Sequence, residues 1–164
     1  METAIRTVAF TGHRHLDIRE QRMLVPTLDR IIEEMIAHGA VCFRTGGALG
    51  FDTLAADAVL LYREKAPQIR LELILPHPAQ AEAWGADDRQ RYEEILQTAD
   101  RIRYVSPFYY DGVLQARNRA LLEGADACIA YLRTSHGGGA AYTSQLALRQ
   151  GLAYYNLYDE ISKG

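Results

Sequence analysis

Short apolar runs of strand-forming residues alternate with longer stretches of helical period along the whole of this 164-residue chain. That alternation admits few folds. The strand-like runs are Thr7 to Thr11, Val41 to Thr45, Arg70 to Leu75, Ile102 to Val105, Ala127 to Tyr131 and Ala153 to Leu157. Between them the spacing predicts helices over Arg19 to Ala37, Asp52 to Lys65, Asp87 to Ala99, Val113 to Glu123 and Tyr142 to Gln150. In the first helix Leu24, Leu28, Ile31, Ile32, Met35 and Ile36 share one face, and in the second Leu54, Ala55, Ala58 and Leu61 point inward. Gly39 ends the first and Pro67 stops the second. The pattern indicates an α/β class: a Rossmann-like, doubly wound, mostly parallel sheet with helices on both faces. The length suits a single domain spanning 1–164, and no repeat, low-complexity tract or linker divides it.

Right-handed crossovers put every strand-to-helix connection of such a sheet beyond the carboxyl ends of its strands, where ligands bind. The segments TGHR (11–14), TGGALG (45–50), PHPAQ (76–80) and GGG (137–139) are therefore expected to converge on one crevice.

Each segment has a functional and a structural reading. TGGALG ahead of a helix offers bare backbone N–H groups and the positive end of a helix dipole, which suit phosphate or carboxylate. It also suits a tight turn. Its spacing is neither the dinucleotide G-x-G-x-x-G nor a P-loop. Thr45, Gly46, Gly47 and Gly50 are its candidate ligand-binding residues, and Asp52 either caps the helix or accepts ribose hydroxyls. A Gly47→Val substitution is expected to block the ligand's approach and leave the fold intact. Gly138 and Gly139 repeat the device, with Thr143 and Ser144 at the next helix start. Thr11, Gly12, His13 and Arg14 follow the first strand, and Arg14 suits bidentate phosphate contact or a surface ion pair. Pro76 and Gln80 come from the third loop. Arg117 and Asn118 are adjacent, so only one is expected to aim squarely at a target; Asn118 suits a base edge or ribose, and a solvated helix face is the alternative. Phe108, Tyr109, Tyr110 and Trp84 lie in loops near this edge and suit base stacking or the core, with core expected for most.

Composition excludes several classes. The net charge is -3 and the basic residues are scattered, so the electrostatic footprint of nucleic-acid binding is missing. No apolar run approaches the ~20 residues of a membrane span, and METAIRTVAF lacks a signal-peptide pattern, so the reading is cytoplasmic, without membrane partners. Cys42 and Cys128 sit inside apolar runs and read as buried free thiols. His13, His15, His38, His77 and His136 are dispersed, and no metal site is expected. No nucleophile elbow, HExxH or Ser/His/Asp arrangement appears, so no catalytic residue is assigned.

Together TGHR, TGGALGFDTLAADAV, LILPHPAQAEAW, RNRALLEGADACIAY and GGGAAYTSQLA resemble, in order and over almost the whole chain, the YpsA-like family of the SLOG superfamily. The resemblance implies a Rossmann-like binder of a nucleotide or nucleotide-derived ligand, such as ADP-ribose or a nucleotide sugar, acting as a sensor or regulatory module. It implies no certain cofactor beyond such a ligand, and it raises the expectation of a homodimer. On this likeness Gly46, Gly47, Gly50 and Asp52 match the glycine-rich signature and Arg117 and Asn118 an Arg-Asn pair, while Gly138 and Gly139 match a Gly-Gly-Thr pattern whose third position is Ala140, leaving Thr143 to supply the hydroxyl. The related LOG phosphoribohydrolases, which cleave the N-glycosidic bond of nucleoside monophosphates, offer the alternative. Their catalytic glutamate falls on Leu146, beside the neutral Gln145, so the likeness favours binding over that hydrolysis.

Overall fold

Large and small apolar residues alternate along the first strand, and the two kinds face opposite sides of the sheet. In the computed structural model, which describes residues 4–133 and 138–162, β1 is Thr7–Gly12. Val8 and Phe10 enter one core cluster with Phe43, Leu73 and Leu28, whereas Ala9 turns to the other with Cys128, Leu121 and Ala147. The chain then alternates through α1 Ile18–Ala37, β2 Cys42–Thr45, α2 Phe51–Arg63, β3 Arg70–Leu75, α3 Ala86–Thr98, β4 Arg101–Tyr104, α4 Val113–Leu122, β5 Ala127–Tyr131, α5 Gly138–Arg149, β6 Ala153–Asn156 and α6 Leu157–Ile161. No described helix is long and apolar enough to cross a membrane.

The strands form one sheet in the order β4-β3-β2-β1-β5-β6, and every neighbouring pair is parallel. This is the doubly wound α/β architecture that the alternation implies. The chain builds outward from β1 to β4, then returns to β1's other side as β5. Helices leave the carboxyl ends of β1 and β5 in opposite directions, so a crevice opens between them. Gly12 pairs with Tyr131 in this register, and the two strands release their loops at the same level. Helix α1 packs on α2 and α6 in one layer, and α4 packs on α5 in the other.

Several local expectations change. Helix α5 begins at Gly138, four residues before Tyr142, so Gly138 and Gly139 belong to its first turn and Thr143 and Ser144 lie beyond that turn. Ser135, His136 and Gly137 lie outside the described residues. Strand β6 stops at Asn156 because that side chain caps α6, accepting from Tyr158 N at 3.1 Å, while exchanging two hydrogen bonds with the Leu132 backbone. Leu61 is 61% exposed; at 100° per residue it lies about 120° round α2 from Ala55, the centre of the buried stripe. Phe108, Tyr109 and Tyr110 are exposed instead of entering the core, because they follow the edge strand β4, whose four residues are themselves exposed. Trp84 is half-buried against the Tyr92 ring. Cys128 is buried, and burial pushes its thiol up to about 12; Cys42 is only partly buried.

Glu20 fixes the frame around the crevice. It is the third residue of α1 and closes a capping box, with Asp17 Oδ1 accepting from Glu20 N at 2.7 Å and Glu20 Oε1 accepting from Asp17 N at 3.1 Å. The same carboxylate takes a two-pronged contact from Arg133, Nε to Oε2 at 2.6 Å and Nη2 to Oε1 at 2.7 Å, and accepts from the Tyr131 hydroxyl. The start of α1 is thereby tied to the exit of β5. These donors, Arg133 first, hold the Glu20 carboxyl down at about 2, against the opposing effect of burial. Because the folded value lies below the ordinary 4.5, the stabilisation is complete above about pH 4.5 and is lost as pH falls towards 2. Glu20→Gln is therefore expected to cost ~1.5–3 kcal/mol at neutral pH. Urea denaturation at a series of pH values should show the gap to wild type closing below pH 4.5; a gap that does not change with pH contradicts this role.

Candidate functional site

Three of the four loops meet at the switch point, and the fourth stands behind one of them. A crevice of ≈ 500 Å³ is lined on the β1 side by Thr11, Gly12, His13 and Arg14, and on the β2 side by Gly46, Ala48 and Asp52. Helix α4 contributes Leu114, Gln115, Arg117, Asn118 and Leu121, and the first turns of α5 contribute Gly138, Gly139, Ala140 and Tyr142. The volume falls in the range of small-molecule sites.

The centre of this arrangement is a buried guanidinium. Arg117 is only 5% exposed and Asn118 6%. Arg117 Nε donates to Asn118 Oδ1 at 2.9 Å, and its Nη1 donates to the Gly46 carbonyl. A Cβ at Gly46 would lie 2.7 Å from Arg117 Nη1, so the missing side chain is what lets the guanidinium lie against the loop. The neighbours are thus bonded to each other, and both line the crevice. Asn118 spends its oxygen on Arg117, and its Nδ2, which has no partner among the described residues, sits 3.3 Å from where a Gly139 Cβ would be. Both hydrogen-bond partners of Arg117 among the described residues are neutral. Burial lowers its pKa and Asp52 opposes that shift, yet an arginine in a fold keeps its charge.

Asp52 is the one carboxylate among the described lining residues. It is the second residue of α2 and does not cap it; the cap position is Gly50, which makes no side-chain bond. Its Oδ2 instead accepts from Ala48 N at 3.2 Å, folding back onto the glycine loop. Burial pushes its carboxyl up to about 6, against the pull of Arg117 and of the Ala48 N–H. His13 accepts at Nε2 from Arg133 N at 2.9 Å, which leaves its proton on Nδ1. Burial first and the Arg133 charge second lower its pKa, so the ring is neutral and pins the β1 exit to the β5 exit. Arg14 is exposed at the rim. Among the described residues no three His, Cys, Asp or Glu side chains gather as a metal site requires.

Six expected residues take other positions. Thr45 is fully buried at the end of β2. Gly47 turns its α-carbon to the core: with φ +69°, an added Cβ would lie 2.3 Å from Leu75 Cδ2. Gly50 has φ +76°, and its Cβ would meet the Arg14 carbonyl oxygen at 2.3 Å, so it lets two loops touch. Gln80 donates to the Gly47 carbonyl at 3.3 Å and to the Tyr92 hydroxyl at 3.1 Å, supporting the glycine loop from behind. Pro76 accepts from Ser106 N at 3.0 Å. Thr143 spends its hydroxyl on the Gly139 carbonyl at 2.8 Å. None of these six lines the crevice. Leu146, at the place of the LOG glutamate, is partly buried against the α4–α5 core, and Gln145 lines a separate hollow beside Tyr158.

Sequence reasoning missed Gln115, Tyr142 and the apolar pair Leu114 and Leu121. The signal was present for α4: positions 114, 117, 118 and 121 share one helical face. Tyr142 was hidden because α5 starts earlier than its glycines suggest. The assembled chemistry is donor-rich, with two arginines, two amides and the first turn of α5 facing a single carboxylate among the described residues. It can hold an anion that also carries hydroxyl groups.

The fold and its crevice define a Rossmann-like α/β protein with a switch-point site. Within that class the chain belongs to the YspA SLOG family, whose model matches residues 8–158. Similar curated proteins carry the name UPF0398 protein. One from Bacillus pumilus (strain SAFR-032) is 26% identical over 147 residues, covering 84% of this chain and 79% of its own. Another, from Bacillus thuringiensis (strain Al Hakam), is 27% identical over 156 residues, covering 90% and 85%. Among solved structures, the X-ray structure of TM1055 matches with a TM-score of 0.56 at 19% identity, over 98% of this chain and 82% of that one, a likeness of fold.

The two adjacent glycines have different roles and should fail differently. Gly47→Ala combines a left-handed backbone, ~1–2 kcal/mol for a side-chain-bearing residue, with overpacking of ~1–3 kcal/mol against Leu75. It is expected to lower the melting temperature markedly, and Gly47→Val more so, so the intact fold expected from sequence is overturned. Gly46→Ala meets only the end of a flexible arginine and should unfold close to wild type while displacing Arg117. Thermal unfolding of both variants checks this, and equal destabilisation would contradict the assignment.

Proposed function

We propose that the protein binds a nucleotide or nucleotide-derived ligand, with ADP-ribose or a nucleotide sugar as the chemical type, and acts as a sensor or regulatory module. The observation that carries the reading is the buried, neutrally partnered Arg117 guanidinium in a glycine-lined crevice. A diphosphate there would complete the charge of Arg117, take the Asn118 Nδ2 donor and the N–H groups of the first turn of α5, and meet Arg14 at the rim. Asp52 would accept ribose hydroxyls. Each phosphate-to-helix contact contributes only ~0.3–1 kcal/mol when exposed and up to ~2 kcal/mol when partly buried, so affinity rests on several acting together. An apolar Leu146, partly buried against the α4–α5 core, supports binding over LOG-type hydrolysis.

Calorimetric titration with ADP-ribose, UDP-glucose and AMP tests the reading. At least one should give saturable binding and raise the melting temperature with concentration, as ligand linkage requires. Arg117→Met, folded by circular dichroism, should weaken that binding by about 30-fold, the equivalent of ~2 kcal/mol for a charge-assisted contact. No saturable binding of any of the three at millimolar concentration, or unchanged affinity in a folded Arg117→Met protein, would overturn it. Free adenine accumulating from AMP would reinstate the hydrolase.

A further inference from the structure

We infer that the crevice has a second, base-recognising end, in which Tyr142 of α5 supplies a stacking face and Gln115 of α4 reads the edge of a planar heterocycle. The inference rests on the nucleotide reading above and deepens it: it makes the ligand's base, and not only its phosphates, a source of affinity.

Both residues line the crevice, and neither belongs to its anion-binding centre. Tyr142 is only partly buried, so its ring is available to a ligand. The phenol is held in place by Arg119, whose Nη1 donates to Tyr142 Oη at 3.3 Å. Arg119 and Gln115 are four residues apart on α4 and therefore neighbours on its surface. The tie from Arg119 to Tyr142 thus holds the ring on the side of α4 that carries Gln115, and both residues line the crevice there. Gln115 is exposed, and its amide offers a donor and an acceptor together, the pairing that an adenine edge matches. Leu114, one residue before it, adds an apolar wall. Gln115 lies one turn before Asn118 and about 60° round α4 from it, but about 160° from Arg117, so it borders the crevice on the side of the helix away from the guanidinium that marks the phosphate end. A ligand with its diphosphate on Arg117 and Gly46 can therefore place a base between α4 and the first turns of α5. Inorganic phosphate or a bare sugar phosphate would fill only the other half.

The test compares ADP-ribose with ribose 5-phosphate, which has the phosphate and ribose but no base. Tyr142→Leu should weaken ADP-ribose binding by about tenfold, the lower end of what a base gains on an aromatic face, and leave ribose 5-phosphate within about twofold. Tyr142→Phe, which keeps the ring and loses only the Arg119 contact, should retain ADP-ribose affinity within about threefold and controls for folding defects. Gln115→Ala, at an exposed site, should weaken ADP-ribose and not ribose 5-phosphate. Equal loss for both ligands, or no loss for ADP-ribose in Tyr142→Leu, overturns this inference and leaves the nucleotide reading standing. Loss on Tyr110→Leu but not on Tyr142→Leu would move the platform to the exposed loop before α4 and overturns it too. Wild-type protein that binds neither ligand overturns this inference, and if UDP-glucose and AMP fail to bind as well the nucleotide reading falls with it.

Discussion

Burying a guanidinium is costly, and the crevice is organised around how that cost is met. Arg117 leaves water midway along α4, where its fork bonds a carbonyl of the glycine loop and an amide of its own neighbour. Neither partner carries charge, so the arginine's electrostatic demand is only partly answered inside the protein. Asp52 answers some of it, but burial raises that carboxyl and weakens its hold on the negative charge. The remaining deficit faces the cavity. Gly46 must be glycine for the guanidinium to fit, and Asn118 must turn its oxygen inward, which leaves a donor outward. The anion binding proposed for the site thus rests on one buried cation and the small residues that accommodate it.

A cation placed this way is useful only if the walls around it hold still. Glu20 and His13 provide that stiffness from opposite sides of Arg133. The carboxylate grips the Arg133 side chain and the Tyr131 hydroxyl, while the imidazole accepts from the Arg133 backbone. Three exits, from β1, from β5 and into α1, are locked together by one ion pair and one neutral ring. None of these bonds needs a ligand. The frame is preorganised, which lowers the ordering cost of binding.

The architecture was largely legible in the sequence because each layer writes its own period: alternating large and small residues on β1, and the Leu24 to Met35 stripe on α1. The convergence of the TGHR, TGGALG and Gly138–Gly139 segments followed from handedness alone. What the sequence did not disclose was direction. Gly46 and Gly47 are adjacent and identical, yet one faces the crevice and the other the core, a difference set by a local φ of +69° and by where Leu75 sits. Gln80 and Thr143 carry the right chemistry but spend it on backbone carbonyls. Glu20 was invisible as a hub because its partners lie 111 and 113 residues away. The aromatics at 108–110 were expected inside because nothing in their composition shows that they follow an edge strand.

The central claim is that main-chain amides and one buried guanidinium, at the switch point between β1 and β5, form a receptor for a phosphate-bearing ligand. Amide chemical-shift mapping by NMR during titration with ADP-ribose tests it most directly. The account predicts saturable shifts concentrated at Gly12, Gly46, Asn118 and Gly139, with the Arg117 side-chain Nε resonance moving at the same midpoint. Shifts confined to another surface, such as β4, or no shifts at millimolar ligand, would contradict it.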